Sequence, residues 1–238
     1  MGDVMNQYIP ELSKQYKDKI IIITGSTQGS GAETAKLLAH RGAAGITICG
    51  RNEKKGLQVK SEIESLGCKC IYVKADLNEV EECQNIVKKT DATFGKINSL
   101  INVAGFTERG TILSTSIDNY NQNFNINTRA PFLLMQESIK IMIREKIQGT
   151  ILNVLSMAMY SGMPFLTAYS GSKAALAIIT KNVANGVSGH KIRVNALNIG
   201  WTDTPGEDTI QKKFHDGGED WLKKAEAKVP FKKTHKTN

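Results

Sequence analysis

Residues 19–40 read KIIIITGSTQGSGAETAKLLAH. After Lys19 come four isoleucines and Thr24, a β-prone run apolar on both faces, as in a parallel sheet covered by helices on either side. Residues 32–40 carry the small and apolar spacing of a helix. Between the two lies TGSTQGSG, with Gly25, Gly29 and Gly31 at the junction. Glycines at such a turn let the backbone approach a pyrophosphate, and the helix that follows offers free N–H groups and partial positive charge. The spacing is G-x-x-x-G-x-G, not the commoner G-x-G-x-x-G, so the generic fingerprint does not match.

The pattern repeats outward from this unit. Apolar runs at 45–50, 69–74, 98–103, 150–155 and 190–197 read as strands, and 53–66, 80–94, 117–144 and 168–187 read as helices. The alternation predicts an α/β fold with a single doubly wound, Rossmann-type parallel sheet and helices on both faces. Ligands on such sheets bind beyond the carboxyl ends of the strands. The glycine turn, Gly50 with Arg51, Asp76, residues 102–105 and Ser156 all fall there. An acid at the end of the second strand would take the ribose hydroxyls of NAD, whereas Arg51 can pair with a 2′-phosphate. The expected cofactor is therefore NADP(H) over NAD(H), although Gln28 gives no second basic contact inside the glycine turn.

A second stretch, ILNVLSMAMYSGMPFLTAYSGSKAAL at 151–176, carries candidate chemistry. A strand over 150–155 leads to Ser156, a loop with Gly162 and Pro164 follows, and a helix begins near Thr167. Tyr169 and Lys173 are four apart and share a helix face. A lysine ammonium there favours the phenolate and is expected to pull the tyrosine pKa down towards the range of an acid–base catalyst. Ser156 is placed to hydrogen-bond a substrate oxygen that the tyrosine protonates. The pair alone is weak, since about 0.6 Tyr-x-x-x-Lys pairs arise in a shuffled chain of this composition.

Composition sets bounds around these readings. At 238 residues, 40% apolar and 23% charged, the chain is ordinary for a globular protein of one or two domains. Cys49, Cys68, Cys70 and Cys83 suit neither a zinc site nor a dense disulfide framework, so no metal is expected and a reduced, cytoplasmic setting is. The N-terminus shows no signal peptide or membrane span, and Asn6 stands where a myristoylation motif wants Ser or Thr. The net charge is +8, and residues 211–238 hold eight lysines against four carboxylates. Nucleic-acid binding is one reading of that excess. With 6% aromatics and no interleaving of basic and aromatic residues, a solvated helix and tail is the expectation, with no nucleic-acid or membrane partner.

Taken together, these motifs resemble the short-chain dehydrogenases/reductases from about residue 17 to 230. Thr24, Gly25, Gly29 and Gly31 match the family's T-G-x-x-x-G-x-G turn, and Asp76 with Leu77 its D-L/V pair. Asn102, Val103, Ala104 and Gly105 look like its N-N-A-G, with Val103 replacing the second asparagine. Asn127 falls where the family carries a catalytic asparagine, and Ser156, Tyr169 and Lys173 match its serine, tyrosine and lysine. The resemblance implies an NAD(P)-dependent oxidoreductase acting on a carbonyl or secondary alcohol. Ser156 would polarise the oxygen and Tyr169 act as general acid/base. Lys173 would hold the nicotinamide ribose and depress the tyrosine pKa, and Asn127 would anchor a water. The cofactor contacts it implies are Thr24, Gly25, Ser26, Gln28, Gly29, Ser30, Gly31, Arg51, Asn52, Asp76, Leu77, Asn102, Ala104, Gly105, Tyr169, Lys173, Gly200, Thr202 and Thr204.

Departures from the family pattern set further expectations. Asn198 and Ile199 precede Gly200 where the family has proline, and the chain ends KKTHKTN where the family continues to a seventh strand. The last family strand thus looks missing, which predicts an open edge at the sixth strand with apolar surface beside it. The expected organisation is an N-terminal extension at 1–18, the Rossmann domain at 19–231 with a substrate-covering segment at about 205–228, and a basic, disordered tail at 232–238. Helices at 117–144 and 168–187 are expected to build a homodimer or homotetramer, weakened if that strand is absent. Phe106, Met157, Met159, Met163, Trp201 and Trp221 would ring the site and suit a lipophilic carbonyl, or merely pack the loops. The alternative reading is a non-catalytic dinucleotide-binding or scaffold protein.

Overall fold

Residues 12–200, 202–214, 221–228 and 235–236 are described by a computed structural model. The six strands β1 (Ile20–Thr24), β2 (Gly45–Gly50), β3 (Lys69–Lys74), β4 (Ser99–Asn102), β5 (Thr150–Ser156) and β6 (Arg193–Ile199) form one sheet in the order 3-2-1-4-5-6. Every pairing in that sheet is parallel. The order reverses between β1 and β4, and a crevice opens beyond the carboxyl ends at that switch.

The helices α1 (Gly29–His40), α2 (Glu53–Ser65), α3 (Val80–Phe94), α4 (Ile117–Phe124), α5 (Ala130–Arg144) and α6 (Thr167–Gly186) connect the strands. Local chemistry sets several of their ends. Asn52 caps α2 by accepting the N–H of Lys55 at 3.0 Å, and Ser116 caps α4 by accepting that of Asn119 at 3.1 Å. Gly95 ends α3 with a left-handed φ of 70°. The helical stretch expected as one piece over 117–144 is α4 and α5 joined by a single π-helical turn, Asn125–Arg129. The sixth strand starts three residues later than the sequence suggests. Ser188–His190 form a 3₁₀ turn and Lys191 takes a φ of 56°, which holds the chain out of the sheet until Arg193.

Two apolar cores lie on the two faces of the sheet. One joins Ile22, Leu100, Ile151, Leu155 and Val194 to α3, α5 and α6 through Ile86, Leu134, Met142 and Leu176. The other joins Ile21, Ile23, Ile46 and Ile48 to α1 and α2 through Ala35, Leu38, Val59 and Ile63. The second core stops at β4, where Ile101 and Val103 are only partly buried. Beyond it a groove of about 950 Å³ runs over β4, β5 and β6, floored by Ile101, Leu152, Val154, Leu197 and Ile199 and walled by Leu37 and His40 of α1. Among the described residues β6 ends the sheet, as an open edge there requires, and Leu197 is 52% exposed. The four cysteines are free and buried.

Past β6 lie a two-residue strand β7 (Thr202–Asp203), helices α7 (Pro205–Phe214) and α8 (Trp221–Lys228), and β8 (His235–Lys236). β8 pairs in parallel with β7. Backbone pairing at His235 and Lys236 thus differs from the structureless tail expected at 232–238, whose remaining residues lie outside the described ones, as do 1–11 of the N-terminal extension. No helix among the described residues is long and apolar enough to cross a membrane.

Candidate active site

The crevice at the strand ends is a cleft of about 350 Å³. Its first wall is the glycine turn, where Gly25, Gln28, Gly29, Ser30 and Gly31 face the space. Gly25 has a φ of 62° and passes so near the loop after β4 that a Cβ would sit 2.7 Å from Ala104 Cα. At Gly31 a Cβ would meet the Gly25 carbonyl oxygen at 2.3 Å. Arg51, Asp76 and Leu77 line the end beyond β2 and β3, Ala104 and Gly105 the middle, and Gly200, Thr202 and Thr204 the far end.

Four of the sequence-derived contacts build the walls instead of lining the cleft. Thr24 is buried, and its Oγ1 accepts the N–H groups of Val103 and Ala104, each at 3.1 Å. Ser26 is buried and bridges β1 to β2, donating to the Ile23 carbonyl at 2.6 Å and accepting the Cys49 N–H at 3.0 Å. Asn52 caps α2. Asn102 donates to Asn153 Oδ1 at 2.8 Å, and Asn153 donates to Thr180 Oγ1 at 2.9 Å, a buried chain that pins α6 to β4 and β5. Thr27, Ile199 and Glu207 line the cleft without having been singled out from sequence. Thr27 sits in the same turn and was legible by position. Ile199 stands where the family pattern has proline, so it too was legible by position, whereas Glu207 carries no motif.

The four candidate catalytic residues come from three elements on the α5–α6 side. Ser156 ends β5, Tyr169 and Lys173 lie one turn apart on α6, and Asn127 sits in the π-helical turn. Ser156 lies near enough to the Tyr169 phenol to lower its pKa, and its Oγ accepts the Ala158 N–H at 3.2 Å. Buried Lys173 donates to the Val154 carbonyl at 2.8 Å. Asn127 is buried and doubly tied to Phe106, accepting its N–H at 2.8 Å and donating to its carbonyl at 2.8 Å, and it also donates to Ser172 Oγ at 3.0 Å. A Cβ on Gly105 would lie 3.7 Å from both Asn127 Oδ1 and Lys173 Nζ, which are buried behind the cleft wall at this point.

Electrostatics at this cluster differ from the sequence expectation. The Tyr169 pKa is raised, chiefly by burial and further by the Glu207 carboxylate, while the Ser156 side chain lowers it. The net shift is upward, against the expected fall, and the Lys173 ammonium donates to the Val154 carbonyl. Burial pushes the lysine itself down to about 8. A phenol kept protonated beside a lysine of lowered pKa is arranged as a proton donor.

The loop over this cluster is tied in place by a parallel bridge between Gly110 and Leu166, and the Arg109 guanidinium lies 5.1 Å over the Phe165 ring. Phe106 lines the cleft, whereas Met157 is 52% exposed and Met159 packs on the core. Trp201 lies outside the described residues, as does the side chain of Trp221.

Comparison with known proteins agrees with this geometry. The family model described as short chain dehydrogenase matches residues 19–214. The chain is 34% identical over 221 residues to a Thermotoga maritima protein named uncharacterized oxidoreductase, covering 93% of this chain and 86% of that protein. Its fold is shared with a 3-oxoacyl (acyl-carrier-protein) reductase from Agrobacterium tumefaciens C58 with NADP bound, at TM-score 0.86 and 19% identity over 97% of this chain and 87% of that one. It is shared equally with an NAD+-bound xylitol dehydrogenase, at TM-score 0.85 and 23% identity over 94% of this chain and 90% of that one. Glycine turn, strand order, family model and oxidoreductase relative coincide, and the chain belongs to the short-chain dehydrogenase family, oxidoreductases of CH–OH and C=O groups that use NAD(P).

Proposed function

We propose that this chain interconverts a carbonyl and a secondary alcohol with NADP(H) preferred over NAD(H), and that Tyr169 is the general acid/base. The observation that carries the proposal is the convergence of Ser156, Tyr169, Lys173 and Asn127 beside the glycine-walled cleft. The residues present fit a dinucleotide: a glycine turn with no room for a Cβ at Gly25 or Gly31 forms one wall, and Arg51 stands at one end of the cleft. When bound, the nicotinamide supplies or accepts the hydride.

Ser156 hydrogen-bonds the substrate oxygen and fixes it against the phenol. In reduction Tyr169 gives that oxygen its proton, and in oxidation it takes the proton back. Lys173, held on the Val154 carbonyl, reaches towards Gly105 and the ribose side of the cleft. Asn127 holds the Phe106 backbone, and with it the loop after β4. Arg51 selects the 2′-phosphate by a charge-assisted hydrogen bond. Half-exposed Tyr120 and Phe132 with Ile178 on α4, α5 and α6 supply apolar surface for a homodimer or homotetramer, and free, buried thiols suit a cytoplasmic setting.

A thermal melt of wild type and Tyr169→Phe with NADPH, NADH or neither tests the proposal, followed by turnover of a lipophilic ketone panel. A cofactor at about a hundred times its dissociation constant stabilises by about 2.7 kcal/mol. NADPH should shift both proteins more than NADH, and only wild type should turn over, with the variant down about 1000-fold or more. Unchanged turnover in Tyr169→Phe sinks the acid–base assignment. A shift without turnover in either protein supports the second reading, a dinucleotide-binding scaffold, for which the uncovered groove over β4–β6 would be the working surface.

A further inference from the structure

Arg51 is a single cation, and the glycine turn offers glutamine at its outermost position. The structure supplies what the turn lacks. Lys55, in the first turn of α2, does not line the cleft but donates its ammonium at 2.6 Å to Oε1 of Gln28, which does. Its position is fixed from behind, since Asn52 caps α2 on the Lys55 N–H. The one acid of that turn, Glu53, is drawn away to Lys74 at the end of β3, with 3.6 Å between the charged atoms. Gln28 and Arg51 both line the cleft. The result is two cations flanking the adenosine end, one of them held there by a neutral amide.

We propose that Lys55 is a specificity-determining residue of the dinucleotide site, the second cation for an adenosine 2′-phosphate, with Gln28 as the arm that holds it at the cleft. This rests on the NADP(H) reading above and extends it. A 2′-phosphate placed between Arg51 and Lys55 takes over the ammonium that Gln28 holds, and Gln28 keeps its amide N–H for the ribose or a phosphate oxygen. A free 2′-hydroxyl offers no anion to that ammonium, so the Gln28–Lys55 hydrogen bond persists and Lys55 contributes nothing.

The test uses adenosine 2′,5′-bisphosphate and 5′-AMP, which differ only in the 2′-phosphate, titrated calorimetrically into the full chain. Because Lys55 is exposed, its loss should leave the fold intact, which a melt verifies. Lys55→Gln is expected to weaken the bisphosphate by about tenfold and leave 5′-AMP within about twofold. Lys54→Gln removes the same charge one residue away and should cost less than about threefold for either ligand. Gln28→Ala, which frees Lys55 from its arm, should weaken the bisphosphate by an intermediate factor. If Lys55→Gln weakens both ligands alike or neither, while Arg51→Gln still weakens only the bisphosphate, Lys55 has no such role and the NADP(H) reading stands. If wild type binds the two ligands equally, the NADP(H) reading itself fails and this inference with it.

Discussion

The two halves of the sheet are covered differently. Every residue of β1 is buried, because α1 and α2 pack on one face and α3 and α5 on the other. In β5 burial alternates: Ile151, Asn153 and Leu155 are buried, while Leu152 and Val154 between them are half-exposed on the floor of the groove. All four candidate catalytic residues, and the helix that carries two of them, lie on the covered side or at the strand ends. The catalytic cluster therefore rests on one face of β4–β6, while the cofactor cleft shares Val103, Ile199 and Gly200 with the groove on the other.

The largest effect expected from this asymmetry is on stability. Ile151 is fully buried between β5 and the α5–α6 layer, and Ile151→Ala should lower the unfolding free energy by about 2–5 kcal/mol in urea titrations. Ile151 is also five residues from Ser156 on the same strand, so a cavity there loosens the strand that presents the serine. A loss below about 1 kcal/mol would mean that the covered face is no better packed than the open one.

The second effect is electrostatic. On the covered side Lys173 is desolvated and its pKa falls to about 8, whereas Lys36 on the groove wall is half-exposed and raised, chiefly by its hydrogen bond to Glu33. Below pH 8 Lys173 is charged in both folded and unfolded chains, and the folded state bears the whole desolvation cost. Between about 8 and the ordinary lysine value of 10.5 the folded chain has released this proton and the unfolded chain still holds it, so stability rises with pH across that window. The rise from this one group should reach about 3 kcal/mol. Lys173→Met should flatten it, read as the difference between the two proteins' urea midpoints from pH 7 to 10.5. Parallel curves would show that water reaches the ammonium and that the covered side is not dry.

Much of this molecule was legible in residues 19–40 and 151–176. Strand runs, helix periods and the glycine turn gave the sheet and the cleft, because parallel strands and tight turns impose local patterns. Coverage was legible only at the edge, where the missing last strand predicts apolar surface beside the sixth, and not in which face of β5 lies open. The run at 150–155 carries apolar residues on both faces, Ile151 and Leu155 on one and Leu152 and Val154 on the other, and only the absence of a helix over the second pair among the described residues separates them. Side-chain direction was equally hidden. Spacing places Lys173 beside Tyr169, but the Val154 carbonyl that captures its nitrogen comes from another element. Lys55 went unnoticed for the same reason, since its link to Gln28 spans 27 residues. Thr24 and Asn102 match a motif yet serve as struts, because a motif marks a position and not the direction a side chain takes.

The smallest effect is the most discriminating. Leu197 is 52% exposed on β6 and pairs in register with Val154, so it stands at the outer margin of the groove with no layer above it among the described residues. Leu197→Ser should change stability by less than about 1 kcal/mol, in contrast to the loss at Ile151. It should also lower the fluorescence of anilinonaphthalene sulfonate bound to the native protein at neutral pH, since such dyes report exposed apolar surface. A serine that instead costs as much as the Ile151 cavity would show that something covers Leu197 in solution. The difference between the two halves of the sheet would then belong to the isolated chain and not to the working assembly, and the light-scattering mass of wild type against Leu197→Ser would say whether a second copy is the cover.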